Sequence, residues 1–191
     1  MKKLLMGFLT VFAAMSLAAC AEESKEVVQT EEHTGHAEET TDHSAHSGMD
    51  HSGSGELPEG LKNAENPTFP VGTKAMMHAD HMEGMDGAEA TIVGAFSTTV
   101  YAVSYTPVNG GDPVTNHKWV IHEEIDQAGT EPFEKGAEVV LNADHMDGMK
   151  GATATIDSAE ETTVYMVDYT STTGEVVTNH KWVTENELTT E

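Results

Sequence analysis

Apolar and polar positions alternate with a period of two in four stretches of the chain. Ala88, Ala90 and Ile92 alternate with Glu89 and Thr91, and Tyr101, Val103 and Tyr105 alternate with Ala102 and Ser104. Ala152, Ala154 and Ile156, followed by Tyr165, Val167 and Tyr169, repeat both patterns further on. Period-two spacing of β-branched and aromatic residues, broken by Gly, Asn and Pro, predicts short antiparallel strands with one buried face. Further strands are expected at 72–77 and 136–141, where Met76 and Met77 correspond to Val140 and Leu141 as core positions. The last strand of each set carries His117-Lys118-Trp119 or His180-Lys181-Trp182.

The two sets are copies of one unit. Aligning Gly72 with Gly136 places Asp80-His81-Met82-Glu83-Gly84-Met85-Asp86-Gly87 on Asp144-His145-Met146-Asp147-Gly148-Met149-Lys150-Gly151, an offset of 64. The offset falls to 63 at Val114-Thr115-Asn116-His117-Lys118-Trp119-Val120 and its partner Val177-Thr178-Asn179-His180-Lys181-Trp182-Val183. The lost residue lies in a Gly-rich loop, where a length change leaves strand register intact, as in a hairpin. A few short strands in each unit are too few for a two-sheet sandwich. The expected fold is therefore mainly β, with two tandem small SH3-like β-barrel domains at 61–127 and 128–191. Glu124-Ile125 and Glu187-Leu188 would close each barrel, the aliphatic residue plugging its end.

Neither pattern extends into the first 60 residues. Lys2 and Lys3 precede an apolar run from Leu4 to Leu17 that ends Leu17-Ala18-Ala19-Cys20. This run is short for a membrane-spanning helix, which needs about 20 apolar residues, and reads as an export signal over 1–19. It resembles a bacterial lipoprotein signal, which implies lipidation of Cys20 and a place on the outer face of the cell membrane, held by several acyl chains. Residues 20–60 are rich in Glu, Thr, Ser, Gly and His and bury too little to offset backbone entropy, so they read as a disordered tether.

Composition narrows the chemistry. There are 33 acidic residues against 9 basic ones, a formal net charge of -24, and every basic residue is lysine. Such a polyanion without guanidinium groups is repelled by nucleic acid, which excludes that partner. The single cysteine permits neither an internal disulfide nor a thiolate metal cluster, so soft-metal chemistry must fall to the 11 histidines and 11 methionines.

Five histidines, His33, His36, His43, His46 and His51, lie in the tether, where neutral imidazoles capture divalent or copper ions loosely. The sharper candidate is the duplicated Asp-His-Met-x-Gly-Met-x-Gly: His81, Met82 and Met85, then His145, Met146 and Met149. Thioether sulfur is soft and suits Cu(I), and imidazole accepts Cu(I) and Cu(II), so the set points to copper, chiefly as Cu(I). Each motif's glycines would let side chains one and four positions apart converge. A packing role for the methionines is the competing reading. His117 and His180 are further candidate ligands or structural residues. Strand alternation would put His117 on one face with Thr115 and Trp119, and His78, replaced by Asn142 in the second copy, is at most auxiliary.

Through His-Met-x-Gly-Met-x-Gly-Ala, Thr-Val-Tyr and Val-Thr-Asn-His-Lys-Trp-Val, residues 70–191 resemble the YdhK-like lipoproteins of Gram-positive bacteria, which carry tandem copies of a domain of unknown function. That family includes the copper-resistance lipoprotein CopL. The resemblance implies a surface-anchored protein that binds copper, buffering it or passing it to a copper exporter or multicopper oxidase. No positioned nucleophile or carboxylate pair recurs to suggest an enzyme. The rival expectations are an adhesion or cell-wall module using Tyr101, Tyr105 and Trp119, and a zinc or nickel scavenger acting through the tether.

Overall fold

The computed structural model describes residues 52–190. Cys20 and the tether histidines His33, His36, His43, His46 and His51 lie outside the described residues. The strands are β1 (Lys62–Asn63), β2 (Lys74–Met77), β3 (Glu89–Tyr105), β4 (Val114–Ile121), β5 (Glu138–Val140), β6 (Thr153–Thr170), β7 (Val176–Thr184) and β8 (Leu188–Thr189). Short 3-10 turns at His122–Glu124 and Glu185–Glu187 follow β4 and β7, and there is no α-helix among the described residues. The chain is thus mainly β, as its alternation predicts, and all eight strands join one sheet.

The separate strands expected at 88–92 and 101–105 are one strand, β3, of 17 residues; its counterpart β6 has 18. These two long strands pair antiparallel from Ala90↔Tyr169 to Tyr105↔Ala154. Two register shifts interrupt the ladder, one leaving Val93 without a partner on β3 and one doing the same to Asp157 on β6. An extra residue in one strand reverses which side chains face inward. Ala90 and Ile92 therefore share a face with Ala95, Tyr101, Val103 and Tyr105, although their parity differs. That slip was visible in the sequence as two out-of-phase alternations and is the physical reason one strand looked like two.

Thr98 lies opposite Thr162, its own equivalent in the other repeat, so the pairing has a local two-fold relation about that pair. The packing follows the same relation. One core joins Phe69, Ala75, Met77, Met85 and Ile92 of the first repeat to Tyr165, Val167, Tyr169, Val183 and Leu188 of the second. Another joins Tyr101, Val103, Tyr105, Val120 and Ile125 of the first repeat to Val139, Leu141, Met149, Ala154 and Ile156 of the second. A third, smaller core of Phe96, Val100, Ile121, Val164, Met166 and Trp182 uses the intervening parity of the long strands. These cores cross the position between residues 127 and 128 because β3 and β6 pair along their full length. Each repeat's first half is carried onto the second half of the other.

Of the residues expected to close each barrel, Ile125 pairs with Leu141, and Leu188 pairs with Met77. Each contact is made across the repeat boundary. Of the core pairs expected in the short strands, Met77 and Leu141 are buried, whereas Val140 is exposed.

Candidate metal centre

Each His-Met loop is pinned to the hairpin of the other repeat. Gly84 accepts a hydrogen bond from the Thr172 N–H (3.0 Å), and Gly148 accepts one from the Val108 N–H (2.9 Å). Both glycines have positive φ, and a Cβ on Gly148 would stand 2.3 Å from Asn109 Oδ1, so a side chain is barred both by conformation and by close approach. Asn109 also donates to Asp147 Oδ2 (2.8 Å).

The histidines of these loops meet carboxylates from the opposite repeat. His81 Nε2 lies 2.6 Å from Glu187 Oε1, and His145 Nε2 lies 2.8 Å from Glu124 Oε1. Each glutamate is the third residue of a 3-10 turn and reaches back to the backbone N–H before that turn, Thr184 for Glu187 (2.9 Å) and Ile121 for Glu124 (3.2 Å). This is the helix-start arrangement in which an acid satisfies an otherwise orphaned donor. Each also accepts an indole N–H, Glu187 from Trp119 and Glu124 from Trp182, both at 3.0 Å. The Thr184 hydroxyl adds a further bond to Glu187 (2.9 Å).

These contacts set the charges. Burial by itself would raise the Glu187 carboxyl, but the bond to His81 and its charge, with the Thr184 and Trp119 donors, outweigh burial and hold it at about 2. Glu124 is also held below the usual carboxylate range: burial opposes the shift, while His145, the Trp182 indole and the Ile121 N–H prevail. His117 moves down to about 4, first through burial and then through repulsion from His145 and His81, with Glu124 pulling the other way. Its ring is therefore neutral at pH 7, with a nitrogen lone pair to offer.

The strand histidines stand against tyrosines: Tyr105 and His117 have centroids 6.1 Å apart, Tyr169 and His180 5.9 Å. The simple alternation expected for β4 fails here, because its pairing with β3 shifts register twice and Asn116 adopts a φ of 51°. The bulge re-aims His117, whose ring lies 6.2 Å from that of His145. His81 in turn packs edge-on to Trp119 at 5.9 Å.

The methionines divide. Met85 and Met149 are fully enclosed in the first and second cores, while Met82 and Met146 are only partly buried at the borders of those cores. The Tyr105 hydroxyl points at Met146 Sδ (3.8 Å). His78 is exposed, between Thr189 Oγ1 (3.0 Å) and Asp86. Sequence reasoning gave Glu124 and Glu187 only a closing role; the available signal was an acid recurring at the same place in both copies.

Among the described residues, no three His, Cys, Asp or Glu side chains converge as a metal site. Met82 and Met146, partly buried beside the motif histidines in the chain, add thioether sulfur, which suits a soft ion of low coordination number. The imidazoles fit such a site. In His81 and His145 a carboxylate takes Nε2 and fixes the tautomer, leaving Nδ1 as the donor, as in the carboxylate–histidine–metal arrangement. His81 Nδ1 and His117 Nε2 are sealed from solvent and have no hydrogen-bond partner.

A family model described as a protein of unknown function, DUF1541, matches residues 71–122 and 135–185. The uncharacterized protein YdhK of Bacillus subtilis (strain 168) is 54% identical over 187 residues, covering 97% of this chain and 88% of that protein. A crystal structure of the DUF1541 family protein ydhK from Bacillus subtilis subsp. subtilis str. 168 is similar with a TM-score of 0.73 at 61% identity, over 76% of this chain and 100% of that one. A second crystal structure of the Bacillus subtilis ydhK protein gives a TM-score of 0.60 at 65% identity, over 62% of this chain and 97% of that one. With one match to the family model in each repeat and a relative aligned along nearly its whole length, the chain belongs to the DUF1541 family.

Proposed function

We propose that this chain is a copper-binding protein, held by a lipid on Cys20 at the outer face of the cell membrane, that limits free copper there or yields it to an exporter or multicopper oxidase. The role is one of binding and not of catalysis. One observation carries the reading: buried imidazoles are oriented by carboxylates, and ring nitrogens at His81 and His117 are sealed from water without a partner. Leaving a buried polar atom unpaired costs about 1–3 kcal/mol, a cost that a bound ion removes. The donors fit copper better than zinc, because the remaining candidate ligands, Met82 and Met146, are thioethers. The tether histidines would add looser capture.

Titration of the full exported chain with Cu(I) against a competing chelator tests the proposal. Tight binding that falls when His81 and His145 are both replaced by Gln is the expected result. Binding that is unchanged in that variant, or equally tight for Zn(II), would assign metal capture to the tether and end the repeat-site reading.

A further inference from the structure

We infer that a metal site of this protein is completed across the repeat boundary, with His117 of the first repeat and His145 and Met146 of the second holding one soft monovalent ion. The inference rests on the copper reading and adds to it that neither repeat contains a whole site.

The two rings come from different repeats and lie 6.2 Å apart, tilted by 40°. With roughly 2 Å from each nitrogen to a metal, two imidazoles flanking one ion have centroids about 6 Å apart. His117 Nε2 is sealed and unpartnered, and His145 has Nε2 bound to Glu124, which leaves Nδ1 as its donor. Tyr105 joins the third member to the pair: its ring packs edge-on to His117 and its hydroxyl points at Met146 Sδ. The loop bearing His145 and Met146 is held against the first repeat by Val108 N–H to Gly148 and Asn109 to Asp147. Its donors are therefore positioned before an ion arrives, which lowers the ordering cost of binding.

The thioether is too soft a donor for zinc, calcium or magnesium, and the last two also take six or more hard oxygen donors. Two imidazoles and one thioether suit Cu(I) and its redox-inert relative Ag(I). Glu124 supplies the compensating negative charge one bond behind the ligand, where it also orients the ring.

The test is an NMR titration of the full exported chain, labelled with ¹³C in the methionine methyls and ¹⁵N in the histidine rings, with Ag(I). The Met146 methyl and the His117 ring nitrogen should move together and saturate at the same equivalent. In His117→Gln the Met146 response should require more than about tenfold more Ag(I), while that of Met82 is unchanged. If Met146 moves without His117, or responds equally in His117→Gln, the site lies within one repeat and the inference fails, leaving the copper reading intact. Were Ag(I) to move no methionine or histidine of residues 52–190, the copper reading itself would be overturned. The wild-type arm needs no substitution, so a variant that fails to fold does not remove the test.

Discussion

The two carboxylate–histidine pairs use equivalent residues in different surroundings. Around Glu187 the indole partner, Trp119, is only partly buried, and Thr184 contributes both its N–H and its hydroxyl. Around Glu124 the indole of Trp182 is fully enclosed, edge-on to Phe96 at 5.8 Å, and Ile121 offers only an N–H. The enclosure comes from the start of the first repeat: β1 pairs with β3 at Phe96 and Ser97, and Leu61 packs on the third core. The positions 64 residues after β1, Asp126 and Gln127, form no strand. Duplication reproduces the chemistry of the pair, whereas its exposure depends on which flanking residues cover it.

The largest test of this difference is truncation of the two indoles. Trp182→Ala should cost about 3–5 kcal/mol in urea unfolding, the range for emptying an enclosed aromatic site. Trp119→Ala should cost less than half as much, and equal losses would show that the pairs are equivalent after all. Next in size is Glu124→Ala, which strands an enclosed indole and a backbone N–H; a loss of about 3 kcal/mol is expected in the same assay. Glu187→Ala should cost about half of that, since water can reach the Trp119 indole.

Acid should act in sequence on His117, which packs against the His145 pair, and on Glu187 of the other pair. The folded chain holds His117 at about 4 against its ordinary 6.5, so below 6.5 the unfolded chain takes up that proton first. Stability should fall as pH drops from 6.5 to about 4, and His117→Gln should flatten this limb. Glu187, lowered from 4.5 to about 2, contributes fully above 4.5, and that contribution is lost as pH falls through to about 2. Each limb should amount to about 2 kcal/mol for the metal-free chain, allowing for solvent at the edges of both groups. Denaturant midpoints measured across this range check the order.

The smallest effect concerns the tyrosines behind the pairs. Tyr165 is pushed up to about 12 by burial and by its bond to Glu185, where Tyr101 instead meets His122 Nδ1 at 2.9 Å. Glu185→His should make Tyr165 ionise at lower pH, seen in tyrosinate absorbance, with a stability change within about 0.5 kcal/mol.

Much of this was legible beforehand. The period-two runs located the strand segments, and the repeat placed His81 beside its equivalent His145. Pairing between repeats was not legible, because alternation gives a strand's faces but does not name its partner. The carboxylates were missed for the same reason: Glu187 lies 106 residues from His81, and pairing between the repeats, β3 with β6 and β2 with β8, brings them together. The methionines show a different limit. Met82 and Met85 share a motif, yet a tight turn leaves one at the border of a core and the other inside it, a division that residue type alone does not encode.

The two-fold relation about Thr98 and Thr162 has the form of an isologous dimer contact in which both partners belong to one chain. A single repeat would leave one whole edge of its long strand unpaired and half of each core missing, a template for association with its own kind. Two separate copies hold nearly every element that the joined chain uses, and the connection between residues 122 and 135 then serves to fix the concentration of one copy around the other. Joining them makes the assembly independent of protein concentration, so a scarce protein keeps a paired structure that a dilute dimer would lose.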